Sequence, residues 1–281
     1  MTKFFLPPCM NFSLAMYRPL LIMLPALLAA CGSAPAPRQP LAIEQARVAD
    51  RDARKALRNG ELLRAQHDFA TALALQQSLD DTAGAATTMI NLATVTHQLH
   101  DDEAALAWLD RILLEKERIY PPESLLTAAF RKAVILTDLS RLNEAGPALE
   151  PTEKLCGNKC ELRFGIDALR ARLLLLNGDA GAALALAQAV SKESGAGKEE
   201  QANALRVAAA AEEKLARPVS ALQHFQAALE MDKALGLGAR IGEDLNGMAR
   251  AASQLGQDQE AAEYSRRAVL VIEADRQSSP R

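Results

Sequence analysis

The sequence predicts an all-α solenoid of about six antiparallel helix hairpins, and three observations lead there. Twelve alanines fall into pairs, Ala53 with Ala65, Ala93 with Ala105, Ala133 with Ala145, Ala171 with Ala183, Ala209 with Ala221 and Ala249 with Ala261. Members of a pair are 12 residues apart, and successive pairs step by 40, 40, 38, 38 and 40 residues, the mark of an internal repeat. The composition is rich in good helix formers, while aromatics are only 4% and alternating β-branched runs are absent. Six residues after the first alanine of each pair stand Asn59, Leu99, Leu139, Asn177, Leu215 and Leu255, and in three units a glycine follows (Gly60, Gly178, Gly256), as a helix stop requires.

Each alanine pair marks a place where two antiparallel helices cross with no side chain beyond Cβ, letting their axes approach at the short end of about 8 to 10 Å. Four residues after the second alanine come Phe69, Leu109, Leu149, Ala187, Phe225 and Ser265, the positions that should wedge between hairpins.

The pattern resembles the tetratricopeptide repeat family. The best-matching stretch is Leu245, Met248, Ala249, Ala252, Gly256, Ala261, Tyr264 and Ala268; unit one matches through Gly60, Ala65, Phe69 and Ala72, and unit two through Asn91, Leu92, Ala93, Ala105 and Leu106. The resemblance covers residues 44 to 275 and implies a right-handed superhelical solenoid. Two features depart from the family: the period is 38 to 40 residues where about 34 is usual, and the large residue at the start of the first helix is weak. The longer period implies one extra helical turn per hairpin, or longer links.

Residues 1–31 do not belong to this array. Leu20 to Ala30 is an apolar run of 11 residues, and Lys3 and Arg18 are the only charges before it. That is too short to span a bilayer and reads as a secretory signal. Its end, Leu28-Ala29-Ala30-Cys31, resembles the bacterial lipobox, in which the cysteine is acylated, for example with palmitate. The competing reading is an ordinary small-residue cleavage site beside a chance cysteine. Gly32 after the cysteine implies, by analogy with enterobacterial sorting, the outer membrane, and more than one acyl chain would hold the protein there firmly. Loss of the leader takes the net charge from −3 to −5. With no basic run, nucleic acid is not an expected partner.

Residues 32–43, including the proline-rich Ser33 to Pro40, read as an extended tether; 44–275 as the repeat domain; 276–281 as a disordered tail. Hairpin three is irregular, because Gly146, Pro147 and Pro151 are expected to interrupt its second helix. Cys156 and Cys160 follow at the junction with hairpin four. A disulfide is the natural reading in an oxidising compartment, with free thiols or a metal or redox pair as the alternatives. Pro218 fits the first position of the second helix of hairpin five.

Candidate chemistry is sparse. His97 and His100 precede Asp101, Asp102 and Glu103, which allows a metal cluster on paper; the plainer reading puts His100 in a turn and the acids at a helix start. No phosphate-cradling glycine loop or nucleophile elbow appears, so no catalytic residue, cofactor or metal is expected. In the resembled family, partners lie in the concave groove lined by each hairpin's first helix. By position the groove would present Arg47, Asp50, Arg54 and Arg58, then Ile90, Thr94, His97, Phe130 and Val134, then Arg172, Arg206, Asn246 and Arg250. The Lys and Asn set of the family's dicarboxylate clamp is missing. Arginines flanking an apolar middle point to a peptide or protein with acidic flanks; the competing reading is that they only solvate helix faces. The apolar run Ala268 to Ile272, with no capping helix after it, is a candidate for end-to-end self-association. The resemblance implies a lipid-anchored periplasmic scaffold for envelope proteins, serving pilus or secretin assembly or outer-membrane biogenesis. Its alternative is an accessory or sensor domain that binds a small ligand or glycan or regulates a peptidoglycan enzyme.

Overall fold

Every helix that opens a hairpin stops at the residue the spacing picks out. In the computed structural model, which describes residues 40–157 and 160–278, Asn59, Leu99, Leu139, Asn177, Leu215 and Leu255 are the C-caps of the six first helices. The next residue is left-handed each time: Gly60, Gly178 and Gly256, but also His100, Ser140 and Ala216, with φ from +55° to +92°. A left-handed residue ends a helix by turning its next peptide away, and glycine does this without a Cβ penalty.

The hairpins are α1 (Leu41–Arg58) with α2 (Leu62–Ser78), α3 (Thr82–Gln98) with α4 (Asp102–Leu113), and α5 (Pro122–Asp138) with α6 (Leu142–Leu155). They continue as α7 (Arg163–Leu176) with α8 (Ala180–Lys192), α9 (Lys198–Lys214) with α10 (Pro218–Leu235), and α11 (Gly238–Gln254) with α12 (Asp258–Ser278). No strand occurs among the described residues. Asp81, Asp101 and Asp179 cap α3, α4 and α8 by accepting a backbone N–H three residues on. Pro121–Pro122 and Pro218 open α5 and α10, where the missing N–H has no partner to lose.

The paired alanines are buried, apart from Ala261 in the last hairpin, which is half-buried. The wedge residues Phe69, Leu109, Leu149, Ala187 and Phe225 are buried as well, whereas Ser265, in the last described hairpin, is exposed. The interior is not uniform. One buried cluster runs from Ala53 to Leu173, and beyond it the core separates into smaller groups, one around Ala171 to Ala211 and another from Ala209 to Ala268.

One expectation changes. Helix α6 is not interrupted: it passes through Pro147 and Pro151. Both prolines lie on the exposed side, where the carbonyls they leave unbonded meet water, and Gly146 has no Cβ to clash with the Pro147 ring. Ala145, Leu149 and Thr152 on the buried side hold the helix in place. Helix α1 starts at Leu41 and α12 runs to Ser278. Of the apolar run near the end of α12, Ala268 and Val271 join the core that hairpins five and six share and Ile272 lies where a Cβ on Gly242 of α11 would sit, while Val269 and Leu270 are 54% and 64% exposed. The leader, Cys31 and most of the tether lie outside the described residues.

Candidate binding groove

The first helices of successive hairpins touch one another, α3 with α5, α5 with α7, α7 with α9 and α9 with α11, whereas each second helix meets chiefly its neighbours in sequence. Contacts of this kind draw the odd-numbered helices into an inner row. Asp138 of α5 marks which face of that row lies between neighbours, because it accepts from Arg172 of α7 at 2.6 Å and stands 3.9 Å from His97 of α3. Arg131 and Val134 precede Asp138 by 7 and 4 residues and therefore share its stripe along α5.

Of the arginines expected to await a partner, all but Arg58 are engaged within the chain. Arg47 pairs with Glu44 and Arg54 with Asp50, both along α1. Arg172 binds Asp138, and Arg250 reaches Glu213 of α9 at 3.1 Å while lying 5.8 Å over the Phe225 ring. Arg206, only 14% exposed at its side chain, is held by Asp232 of α10, by Asp244 of α11 at 2.8 Å and by Asn203 at 2.8 Å. Replacing it would test a joint between hairpins rather than a free groove charge. Arg58 and Asn246 are exposed. Phe130 is half-buried, its ring 3.2 Å from where a Cβ on Gly165 would stand, so the glycine makes room for the ring.

Arg131, which sequence reasoning passed over, differs from these. Its Nε is sealed from water and bonds to no acceptor, and among the described residues no carboxylate forms an ion pair with its guanidinium. Burial pulls the guanidinium below the ordinary arginine value, opposed by the more distant charge of Glu199 at the start of α9. Arg131 as a whole is half-buried, so the cost falls on the sealed Nε, about 1 to 3 kcal/mol for a buried donor left without an acceptor. The signal was present: Arg131 lies seven residues before Asp138, but nothing in a lone sequence says that no acid meets it.

His97 and Asp102 form a 2.5 Å contact, His100 occupies the left-handed turn and Asp101 caps α4, which is the plainer of the two readings of that stretch. Cys156 and Cys160 sulfurs are at bonding distance, 2.04 Å, closing the link between α6 and α7. A wide trough of about 800 Å³ runs along the leading edge of α1 and α2, floored by Val48, Ala49, Ala70 and Ala74; it lies off the inner stripe. Among the described residues no helix is long and apolar enough to cross a membrane.

No protein-family model and no curated protein matches the chain. Among solved structures it is similar to a signal transduction ATPase with numerous domains carrying a tetratricopeptide repeat sensor, from Pyrococcus horikoshii. That match has 19% identity and a TM-score of 0.56 over 84% of this chain, which spans 38% of the larger protein. BtubC from P. vanneervenii aligns at 16% identity over 86% of this chain and 95% of its own, with a TM-score of 0.42, too low to bear on the fold. The likeness is one of architecture: this chain is a tetratricopeptide-like helical repeat array.

Proposed function

We propose that this chain is a lipid-anchored scaffold of the bacterial envelope whose inner face holds an acidic, apolar-flanked segment of a partner protein at Arg131 and Phe130. The observation that carries the reading is the unpaired Arg131, set among groove arginines that already have acids of their own. A carboxylate from outside would supply the missing charge, and Phe130 and Val134 beside it would pack apolar neighbours of that carboxylate. Attachment at Cys31 to the outer membrane, facing the periplasm, is supported by the Leu28-Ala29-Ala30-Cys31 sequence. Binding without chemistry accords with a repeat fold whose usual work is protein interaction. A small-ligand or glycan sensor would want a deep pocket with converging polar groups on the inner face; the broad trough on α1 and α2 is open and lies off that face.

The test uses two fluorescent peptide pools of random order, one built from Asp, Glu, Leu and Phe and one with Asn and Gln in place of the acids. The acidic pool should bind the parent at least about tenfold more tightly, the equivalent of about 1.4 kcal/mol, and Arg131→Leu should abolish the preference while melting higher than the parent. Equal binding of both pools, or an Arg131→Leu variant that binds as the parent does, removes the assignment. Tritiated palmitate that labels the parent but not a Cys31→Ala variant supports the anchor; equal labelling removes it.

A second surface is favoured by Val269, exposed at the position where Leu73 and Leu229 are buried by a following hairpin. The α1–α2 trough is the matching leading edge, so a second copy stacked head to tail would continue the internal hairpin interface. A monomer mass unchanged by concentration would dispose of it.

A further inference from the structure

Where hairpin six meets hairpin five, the chain buries more negative charge than it can neutralise. Asp232 of α10 and Asp244 of α11 are 1% and 0% exposed, and one guanidinium, Arg206 of α9, serves both. Arg206 Nε holds Asp244 Oδ1 and Nη2 holds Asp232 Oδ2, so the two carboxyls stand side by side on one edge of the guanidinium. Ionised carboxylates only accept hydrogen bonds and repel when set so close, and one proton shared between them removes both difficulties. Asp244 Oδ2, buried and without a donor, is the atom that a proton would satisfy.

We propose that Arg206, Asp232 and Asp244 form a proton-gated latch, which seats hairpin six on hairpin five while the carboxyl pair holds one proton and loosens that seat when the proton leaves. In the protonated state one guanidinium faces one carboxylate and one neutral acid, and every polar atom has a partner. In the deprotonated state two buried carboxylates repel each other around a single cation. The surrounding groups relieve this only in part, since Arg240, a further cation that Asp232 feels, is already met by Glu243. On α9 the other facing group is Asn203, which accepts from Arg206; on α11 Glu243 stands 3.7 Å from Arg206 and is itself met by Arg240; and α12 brings Asp275 against Gly238, at the start of α11. Burial, opposed by Arg206 and reinforced by the neighbouring Asp232, pushes the Asp244 carboxyl up to about 7 from its ordinary 3.8.

The direction of the effect follows. A carboxyl whose folded value lies above its unfolded one binds its proton more tightly in the folded state. Its stabilisation is therefore fully present below pH 3.8 and is lost as pH rises through about 7, with no further change above that. Hairpin six is the part affected, since α12 meets the rest of the array chiefly through α11.

The experiment compares the full chain with Asp244→Asn at pH 6 and pH 8.5. Asparagine mimics the neutral acid: its oxygen accepts from Arg206 and its amide donates to Asp232. Hydrogen exchange in α11 and α12, corrected for intrinsic rates, should quicken at least about tenfold in the parent at the higher pH and stay unchanged in the variant. The variant should also melt above the parent at pH 8.5. Other groups that titrate in this range are common to both proteins, so the difference between them is the readout. Infrared spectra at pH 6 should show a carboxylic-acid carbonyl band in the parent that Asp244→Asn lacks. If Asp244→Asn does not fold, Asp232→Asn serves in its place with the same expectations. A variant that tracks the parent across the range, or a parent without the acid band, overturns the latch. Neither result touches peptide binding at Arg131, two hairpins away.

Discussion

Adding one methyl group at Gly247 should unseat the last hairpin, and the structure sets how strongly. A Cβ there would stand 2.4, 2.5 and 2.6 Å from three atoms of the Phe225 ring, where ordinary contact is 3.4 to 4 Å. The ring is 1% exposed, so it has no open side to retreat into, and α11 must move away from α10 by about 1 Å. Overpacking of this kind costs about 1 to 3 kcal/mol, of which alanine's better helix propensity returns roughly 1 kcal/mol. The net loss of up to about 2 kcal/mol corresponds to a melting temperature lower by up to roughly 8 °C for a domain of this size. Gly181→Ala is the control. It sits in the first turn of α8 with only an ordinary 3.8 Å contact to Asp179, so it should leave the melting temperature level or raise it slightly. Circular dichroism melts of the two variants beside the parent decide the matter. If Gly247→Ala melts with Gly181→Ala, the fit of ring against glycine is not what seats α11.

Two further outcomes follow from local geometry. Reduction of the Cys156 and Cys160 link, or a Cys156→Ser, Cys160→Ser double variant, should lower stability by about 2 kcal/mol, since so short a loop constrains the unfolded chain only modestly; a double variant that melts like the parent would show the link is idle. Ala216→Gly should raise stability by about 1 kcal/mol, because Ala216 holds a left-handed φ of +55° that Gly60, Gly178 and Gly256 adopt freely in the equivalent turns; calorimetry showing no gain would mean the turn is already relaxed.

The repeat was legible because it is written in small residues at a fixed spacing. Alanine at a crossing point is a local demand that does not depend on distant partners, and the six helix stops were found for the same reason. The continuity of α6 was not legible: mid-helix prolines argue against a helix in isolation, and only packing of Ala145, Leu149 and Thr152 overrides them. The groove was legible as a set of positions and not as a set of charges. Arg172, Arg206 and Arg250 read as solvated or ligand-seeking cations until Asp138, Asp244 and Glu213 are brought to them from 34, 38 and 37 residues away. Asp232 and Asp244 look like surface acids in a charged sequence, and their burial arises only when three helices close around one guanidinium.

The broken interior of the array has its own consequence. A rod filled by one unbroken apolar seam melts as a unit, but here the seam ends near Leu173 and resumes in separate patches. Each later hairpin is thus answerable mainly to its immediate neighbour, and heat or denaturant can open the array in stages rather than all at once. A guest lying lengthwise across that break would splint it, so occupancy would be read most directly as two melting steps merging into one.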